Sequence, residues 1–458
     1  MEAKYSYITR YSIKAICKGP LHVGGGSGEG NDILINPVDN VPFIQASSIS
    51  GAIGAYIEST FGNDIKEKIF GSKLNGKSSI IFSDANFEKV LIERRPRLKV
   101  DGKTSTVASA YNKGTYNIKS GQKLELEYVS AGSIFNFNIH ILHKDDEIAN
   151  EITTPFNNYI EDAFVGINNH KVLFGGHKTN GCGIVHIEDI KKITLDMKNE
   201  NDRKAWMDNN FKGKEQKLTI NDKVCKCNKN NIQIVLDAKA NNTILIKSLA
   251  ILLDDDDSMA PDSMNITNGK NERVIPGSSL KGVIRSRAEA IARYKNIAQE
   301  YIDNIFGRSS KGEDNGISGT VIFKETVIND KKEMIIHRNK IDKFTGGTVS
   351  SKLFSEMPVA GNIKFIIEIL DNNNIPTEAV CGIILLAVRD LAFNAISVGS
   401  GANIGRGFLN SSSITISGNN EELAKINIRN MNVEKGEEFI LKCLNSVKKL
   451  QGGTMHDN

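Results

Sequence analysis

Val274-Ile275-Pro276-Gly277-Ser278-Ser279-Leu280-Lys281-Gly282-Val283-Ile284 decides the reading of this chain, because a second version of it lies far upstream. That version is Pro42-Phe43-Ile44-Gln45-Ala46-Ser47-Ser48-Ile49-Ser50-Gly51-Ala52-Ile53. Both place two serines where an apolar helical pattern starts. A hydroxyl there accepts from an otherwise orphan backbone N–H, so Ser47, Ser48, Ser278 and Ser279 are expected as helix caps. Working outward, each copy is followed by Ile-Phe-Gly, at Ile69-Phe70-Gly71 and Ile305-Phe306-Gly307. Each half then closes on Gly-x5-Gly-x-Gly: Gly175, Gly181, Gly183 and Gly399, Gly405, Gly407. Three landmarks in one order, at offsets of roughly 225–240 residues, mean a duplicated domain.

Periodicity fills in the elements. In the first half it predicts strands over 6–18, 78–84, 133–142 and 184–193, and helices from Ser47 to about Thr60 and near 157–165. In the second half it predicts strands from Ile232, over 319–327 and over 362–370, and helices over 278–301 and 377–393. Strand–helix–strand occurring twice per half places the chain in the α+β class. It predicts two tandem ferredoxin-like (RRM-like) domains, each an antiparallel sheet with helices on one face. Residues 1–196 and 232–458 are the expected domains. Residues 197–231, rich in Lys, Asn and Asp with Trp206 as the one large anchor, are expected to link them.

Composition narrows the class. The chain has 458 residues, 40% hydrophobic and 24% charged, enough for two real cores. A net charge of +4 excludes a histone-like polycation, so an acidic partner has to be held by local patches. Two runs offer such patches, Arg94-Arg95-Pro96-Arg97-Leu98-Lys99 and Arg285-Ser286-Arg287, though basic runs also serve as plain solvated surface. The N-terminus lacks an apolar signal core and no run reaches the length of a membrane span, so a cytoplasmic protein with no membrane partner is expected. Six cysteines without a disulfide framework agree with a reducing compartment. Cys225-x-Cys227 is half of a zinc pattern without a second pair nearby.

These motifs together resemble the RAMP superfamily of CRISPR-associated proteins, in the branch that builds the backbone of type III effector complexes. The residues that carry the resemblance are Leu21-His22-Val23-Gly24-Gly25-Gly26, Pro276-Gly277-Ser278-Ser279-Leu280-Lys281-Gly282, Asp342-Lys343-Phe344-Thr345-Gly346-Gly347, Lys352-Leu353-Phe354 and the two closing glycine loops. The likeness covers nearly the whole chain apart from the linker and the C-terminal tail, as though two backbone subunits had been fused. The first half departs from it at Gln45-Ala46 and at Asp101-Gly102-Lys103-Thr104-Ser105-Thr106. The second half has Asp254-Asp255-Asp256-Asp257 and Asp262 where the His-x-Gly loop is expected.

The resemblance implies RNA chemistry. Glycine-rich loops and helix N-termini offer N–H donors to phosphates, and cations line the track. On that basis His22, Gly24, Gly25, Gly26, Ser47, Ser48, His177, Ser278, Ser279, Lys281, Arg285 and Arg406 are RNA-binding candidates. The excursions at 94–116 and 337–354 match the family's protruding thumb hairpin, one per domain. That adds Arg95, Arg97, Lys99, Lys103 and Thr104 in one half, and Arg338, Lys340, Lys343, Phe344 and Thr345 in the other, with Thr104 and Phe344 packing at an interrupted base step. Asp32 stands where active relatives carry a catalytic, metal-binding aspartate, with magnesium the implied ion. Asp262 is its nearest counterpart, sixteen residues before Ser278 as Asp32 is fifteen before Ser47. Guide RNA, complementary target RNA and other effector subunits are the implied partners. Three other readings compete: a scaffold of the same kind that does not cut, a guide-processing ribonuclease with a histidine acid–base pair, and an unrelated enzyme for a small phosphorylated metabolite.

Overall fold

A computed structural model describes residues 5–24, 33–72, 76–97, 124–143, 153–220, 226, 231–248, 261–308, 315–371, 374–418 and 421–452. The chain divides into two compact units. One comprises Met1–Glu93, Glu127–Lys178 and Cys182–Asn228; the other comprises Arg94–Leu126, Thr179–Gly181 and Lys229–Asn458.

The first half runs β1 (Tyr7–Cys17), β2 (Phe43–Ile44), α1 (Ala46–Phe61), α2 (Asn63–Phe70), β3 (Ile80–Phe82), β4 (Ala85–Lys89), β5 (Ile92–Arg97), β6 (Leu124–Val129), β7 (Ile134–His143), α3 (Thr153–Asn168), β8 (Val185–Asp196), α4 (Glu200–Met207) and β9 (Gln216–Lys217). Its main sheet has the order β2-β4-β7-β1-β8-β9. Strict alternation in β1 and β7 sends every second side chain to one face: Tyr11, Ile13 and Ala15 lie opposite Ile139, Phe137 and Phe135. Ile49, Ile53 and Ile57 of α1, with Ile160, Phe164 and Ile167 of α3, cover that face and close the core. Each such side chain contributes about 1.5–3 kcal/mol by leaving water.

The second half repeats the plan with β10 (Ile232–Ala240), β11 (Ser263–Met264), β12 (Val274–Ile275), α5 (Gly277–Tyr294), α6 (Gln299–Phe306), β13 (Val321–Phe323), β14 (Thr326–Val327), β15 (Asn329–Glu333), β16 (Ile336–Ile341), β17 (Thr348–Met357), β18 (Val359–Ile369), α7 (Thr377–Ala392), β19 (Leu409–Gly418), β20 (Glu421–Asn427), β21 (Asn432–Lys435) and α8 (Glu437–Lys449). The sheet order is β13-β18-β10-β19-β20-β21. Taking the four principal strands of each half, both sheets read fourth–first–third–second and are antiparallel throughout. Two tandem ferredoxin-like domains are the result. The likeness extends to a defect: the pairing of β1 with β8 slips between Lys14 and Ala15, and that of β10 with β19 slips between Asp237 and Ala238. Both slips fall between the third and fourth residue from the strand's end.

Three local expectations change. The serines do not cap their helices. Strands β2 and β12 run almost directly into α1 and α5, so the last extended residues, and hence the caps, are Gln45 and Pro276. The Ala46 N–H is taken instead by Asp84 Oδ1 at 2.7 Å. The helix expected over 278–301 is two helices, because the chain turns through Asn296 at φ 54°, a conformation asparagine tolerates. The stretch expected to be a linker is partly folded within the first unit. Asn199 caps α4, β9 pairs with β8, and Trp206 packs edge-on to His140 while Arg10 lies 4.6 Å over the Phe211 ring. No helix among the described residues is long and apolar enough to cross a membrane.

Candidate nucleic-acid interface

In the first unit, the closing glycine loop is stitched to the segment that follows β1. Gly176 N–H donates to the His22 carbonyl and Gly183 N–H to the Pro20 carbonyl, each at 2.8 Å. A Cβ on Gly175 would fall 2.3 Å from the His22 carbonyl oxygen, so only glycine permits this approach. The stitch brings two sequence candidates together: the His22 and His177 rings have centroids 5.2 Å apart, with the Tyr128 ring 5.5 Å from His22. His22 is buried, and its Nδ1 lies 2.8 Å from the Glu127 carbonyl. A carbonyl only accepts, so Nδ1 carries the proton and Nε2 is left as the acceptor in the neutral ring.

The second unit uses the same stitch. Ser400 N–H donates to the Leu245 carbonyl and Gly407 N–H to the Thr243 carbonyl, both at 2.9 Å. Leu245 therefore occupies the place of His22, and the imidazole pair has no counterpart there. A charged cluster stands nearby instead. Glu356, at the end of β17, accepts from Arg406 Nη1 at 2.6 Å and Arg338 Nη1 at 2.8 Å on one oxygen, and pairs with Lys247 Nζ at 3.1 Å on the other. Burial opposes its ionisation, but hydrogen bonds from Arg406, Lys247 and Arg338 prevail and hold the carboxyl down at about 2. The structure thus joins Arg338 and Arg406, both singled out in the sequence, through Glu356 and Lys247, which were not. Nothing local marks Glu356; Arg338 reaches it from the facing strand of the hairpin, and Lys247 and Arg406 come from distant stretches.

Strands β16 and β17 form a hairpin, with β11 beside β17 in parallel. Asp342 builds its tip: Oδ1 accepts from the N–H groups of Phe344 and Thr345, both at 2.9 Å, and from Thr345 Oγ1 at 3.1 Å. These bonds depress the Asp342 carboxyl below its usual range. Thr345 is therefore a turn builder, and the Asp-x-x-Thr-Gly-Gly pattern reads as a turn recipe. The turn presents Phe344 98% exposed, beside the exposed Lys343 and with Lys340 behind it. Asp262 holds the hairpin's other end. Its Oδ2 accepts from Ser355 N at 2.6 Å and Ser355 Oγ at 3.1 Å. The bridges Gly24–Ile33 and Lys247–Asn265 align Ile33 with Asn265, so counting back one residue aligns position 32 with Met264 rather than with Asp262.

Other candidates have partners within the protein. Arg285 donates to the Gly307 carbonyl and to Glu289, both at 2.9 Å, closing the C-terminal end of α6. Arg95 is 8% exposed and paired with Glu325. Lys281 donates to Thr179 Oγ1 at 2.7 Å. Ser47 and Ser278 stay exposed in the first helical turns, with Ser48 and Ser279 half-buried beside them. Asp32, Gly25, Gly26, Lys99, Lys103, Thr104, Cys225 and Cys227 lie outside the described residues, as does the Arg97 side chain. Among the described residues no three His, Cys, Asp or Glu side chains gather as a metal site, so the implied magnesium has no described ligand set.

None of the curated proteins matches the chain in sequence. Among solved structures, a chain of the cryo-EM structure of the Type III-B Cmr-beta bound to cognate target RNA is similar at 18% identity, with a TM-score of 0.31. The overlap takes in 41% of this chain and 61% of that one. The sequence model of the RAMP superfamily matches twice, over residues 14–186 and 257–410, together well over half of the chain. Each stretch includes one of the two closing glycine loops, and the chain belongs to the RAMP superfamily, whose module it carries twice.

Proposed function

We propose that this protein is a guide-RNA-binding backbone subunit of a type III CRISPR ribonucleoprotein, working in the cytoplasm with other effector subunits, and that it cuts complementary target RNA at Asp32 with a divalent cation, magnesium. The observation that carries the RNA-binding part is the β16–β17 hairpin. Its Asp342 turn holds an exposed aromatic ring, Phe344, ahead of Lys343, Lys340 and Arg338, which is the chemistry for pressing on a base step while cations follow the backbone. Asp32 as the cutting residue rests on the sequence resemblance. The chain purified with the products of its neighbouring genes should carry short RNA of uniform length. Asp32→Ala should abolish target cleavage in that assembly while leaving the RNA bound. Unchanged cleavage would reduce the chain to a scaffold, and a heterogeneous or absent RNA fraction would remove the whole reading.

One observation favours a second reading, guide processing without metal. With Nδ1 anchored on Glu127, His22 Nε2 can take the proton of a ribose 2′-hydroxyl as it attacks the adjacent phosphorus. A protonated His177 would return a proton to the departing 5′-oxygen, leaving a 2′,3′-cyclic phosphate and a 5′-hydroxyl. Cleavage that persists in EDTA and disappears in His22→Ala supports this reading; cleavage lost in EDTA and kept in His22→Ala excludes it.

A further inference from the structure

We infer that the second unit holds an RNA phosphate between Arg338 and Lys247, and that Glu356 is the positioning residue that sets both cations. The inference rests on the RNA-binding reading above and extends it to a particular contact.

Four observations lead there. Glu356 is surrounded by three cations, so the cluster carries two positive charges beyond neutrality. The cations come from three separate places: Lys247 after β10, Arg338 on β16 and Arg406 in the glycine loop. They are graded in exposure. The Glu356 and Arg406 side chains are 8% and 6% exposed, whereas those of Arg338 and Lys247 are 37% and 49% exposed. The buried pair is thus the base of the cluster, and the two half-exposed cations form its face. Finally, Arg338 and Lys247 hold opposite oxygens of one carboxylate, which fixes their spacing before any ligand arrives.

One partner would satisfy a buried carboxylate. Gathering three like charges around it costs free energy unless an anion completes the group. The phosphodiester is a monoanion with two free oxygens, fitted to a guanidinium on one side and an ammonium on the other. Such a contact reads no base, so this part of the track is independent of sequence.

The test is RNA affinity of the full-length chain, read by the anisotropy of a fluorescein-labelled oligouridylate across a salt series. Arg338→Ala and Lys247→Ala should each weaken binding by about 3- to 10-fold at low salt and reduce the slope of log K against log salt by about 0.7, one phosphate's share. Glu356→Gln is the discriminating variant. It makes the site more positive, so if Glu356 only masked its neighbours RNA would bind more tightly. A positioning residue predicts weaker binding, with no further loss when Glu356→Gln is added to an Arg338→Ala/Lys247→Ala background. Tighter or unchanged binding by Glu356→Gln overturns its role, and unchanged binding by both alanine variants overturns the site. Lys247 is half-exposed, so Lys247→Ala tests the site even should Glu356→Gln fail to fold. Equal competition by inorganic phosphate at low concentration would assign the site to a small anion and overturn the RNA contact. Should the unaltered chain bind no RNA, the fault lies with the RNA-binding reading itself.

Discussion

Glu356 and Arg406 lie 2.6 Å apart, nearly sealed from solvent, and tie the returning strand of the hairpin to the closing glycine loop fifty residues later. Breaking a buried ion pair from one side leaves a charge without its partner, which costs about 3–5 kcal/mol in general. Here Lys247 and Arg338 remain on the carboxylate after Arg406 is lost. Arg406→Met should therefore destabilise the second unit by about 2–4 kcal/mol, measured by urea unfolding. A loss below about 1 kcal/mol would mean that the two surviving cations suffice.

Acid should act on the two units in different pH windows. In the first unit, burial and then the charge of Arg10 lower His140 to about 4, while burial and then the charge of Lys192 lower His143 to about 4. A histidine held below its ordinary 6.5 is kept neutral by the fold, so the unfolded chain takes up its proton first as the pH drops. The stability each contributes is complete above about 6.5 and drains between there and about 4, roughly 2–3 kcal/mol apiece. In the second unit Glu356, held at about 2, contributes stability that is complete above its unfolded value near 4.5 and is lost only on the way down to about 2. Trp206, the chain's one tryptophan, packs on His140 and reports the first unit alone. Its thermal transition should fall between pH 6.5 and 4, and His143→Gln should remove about half of that slope.

The arrangement of the two sheets was readable because it rests on local pattern. Alternation in β1, β7 and β18 and the order of matching glycines need no knowledge of distant partners. The charged residues were legible as charges but not by destination. Arg95 and Arg285 read as RNA contacts; the structure pairs the first with Glu325, far off in sequence, and the second with the Gly307 carbonyl and the neighbouring Glu289. Glu356 escaped for the converse reason: an acid in a basic hairpin looks like surface until Lys247, Arg338 and Arg406 converge on it. Residues 200–217 read as a linker because their apolar anchors, Trp206 and Phe211, are sparse. They suffice because Arg10 and His140 offer flat partners on the sheet.

The two glycine loops make a matched experiment. A Cβ on Gly183 would meet the Phe174 carbonyl oxygen at 2.0 Å, and one on Gly407 would meet that of Val398 at 2.2 Å. Both glycines also sit at positive φ, 82° and 77°. Alanine at either site adds left-handed strain of about 1–3 kcal/mol to a clash with backbone that cannot step aside. Gly183→Ala and Gly407→Ala should each lower the unfolding midpoint of their own unit by a similar amount. A tolerated Gly407→Ala would show that the second loop is not held as the first is.

At the hairpin tip, two residues two positions apart should separate folding from recognition. Phe344 is 98% exposed, so Phe344→Ala should leave thermal stability within about 0.5 kcal/mol. Asp342 accepts three hydrogen bonds that shape the turn, and Asp342→Ala should cost about 1 kcal/mol locally, seen as faster amide exchange at Phe344 and Thr345. Both variants should weaken binding of a guide–target duplex by a comparable factor, the first by removing the ring and the second by releasing it. If Phe344→Ala binds duplex as well as the unaltered chain, the ring does not touch a base step. The hairpin would then be left to act through Arg338 and its lysines alone.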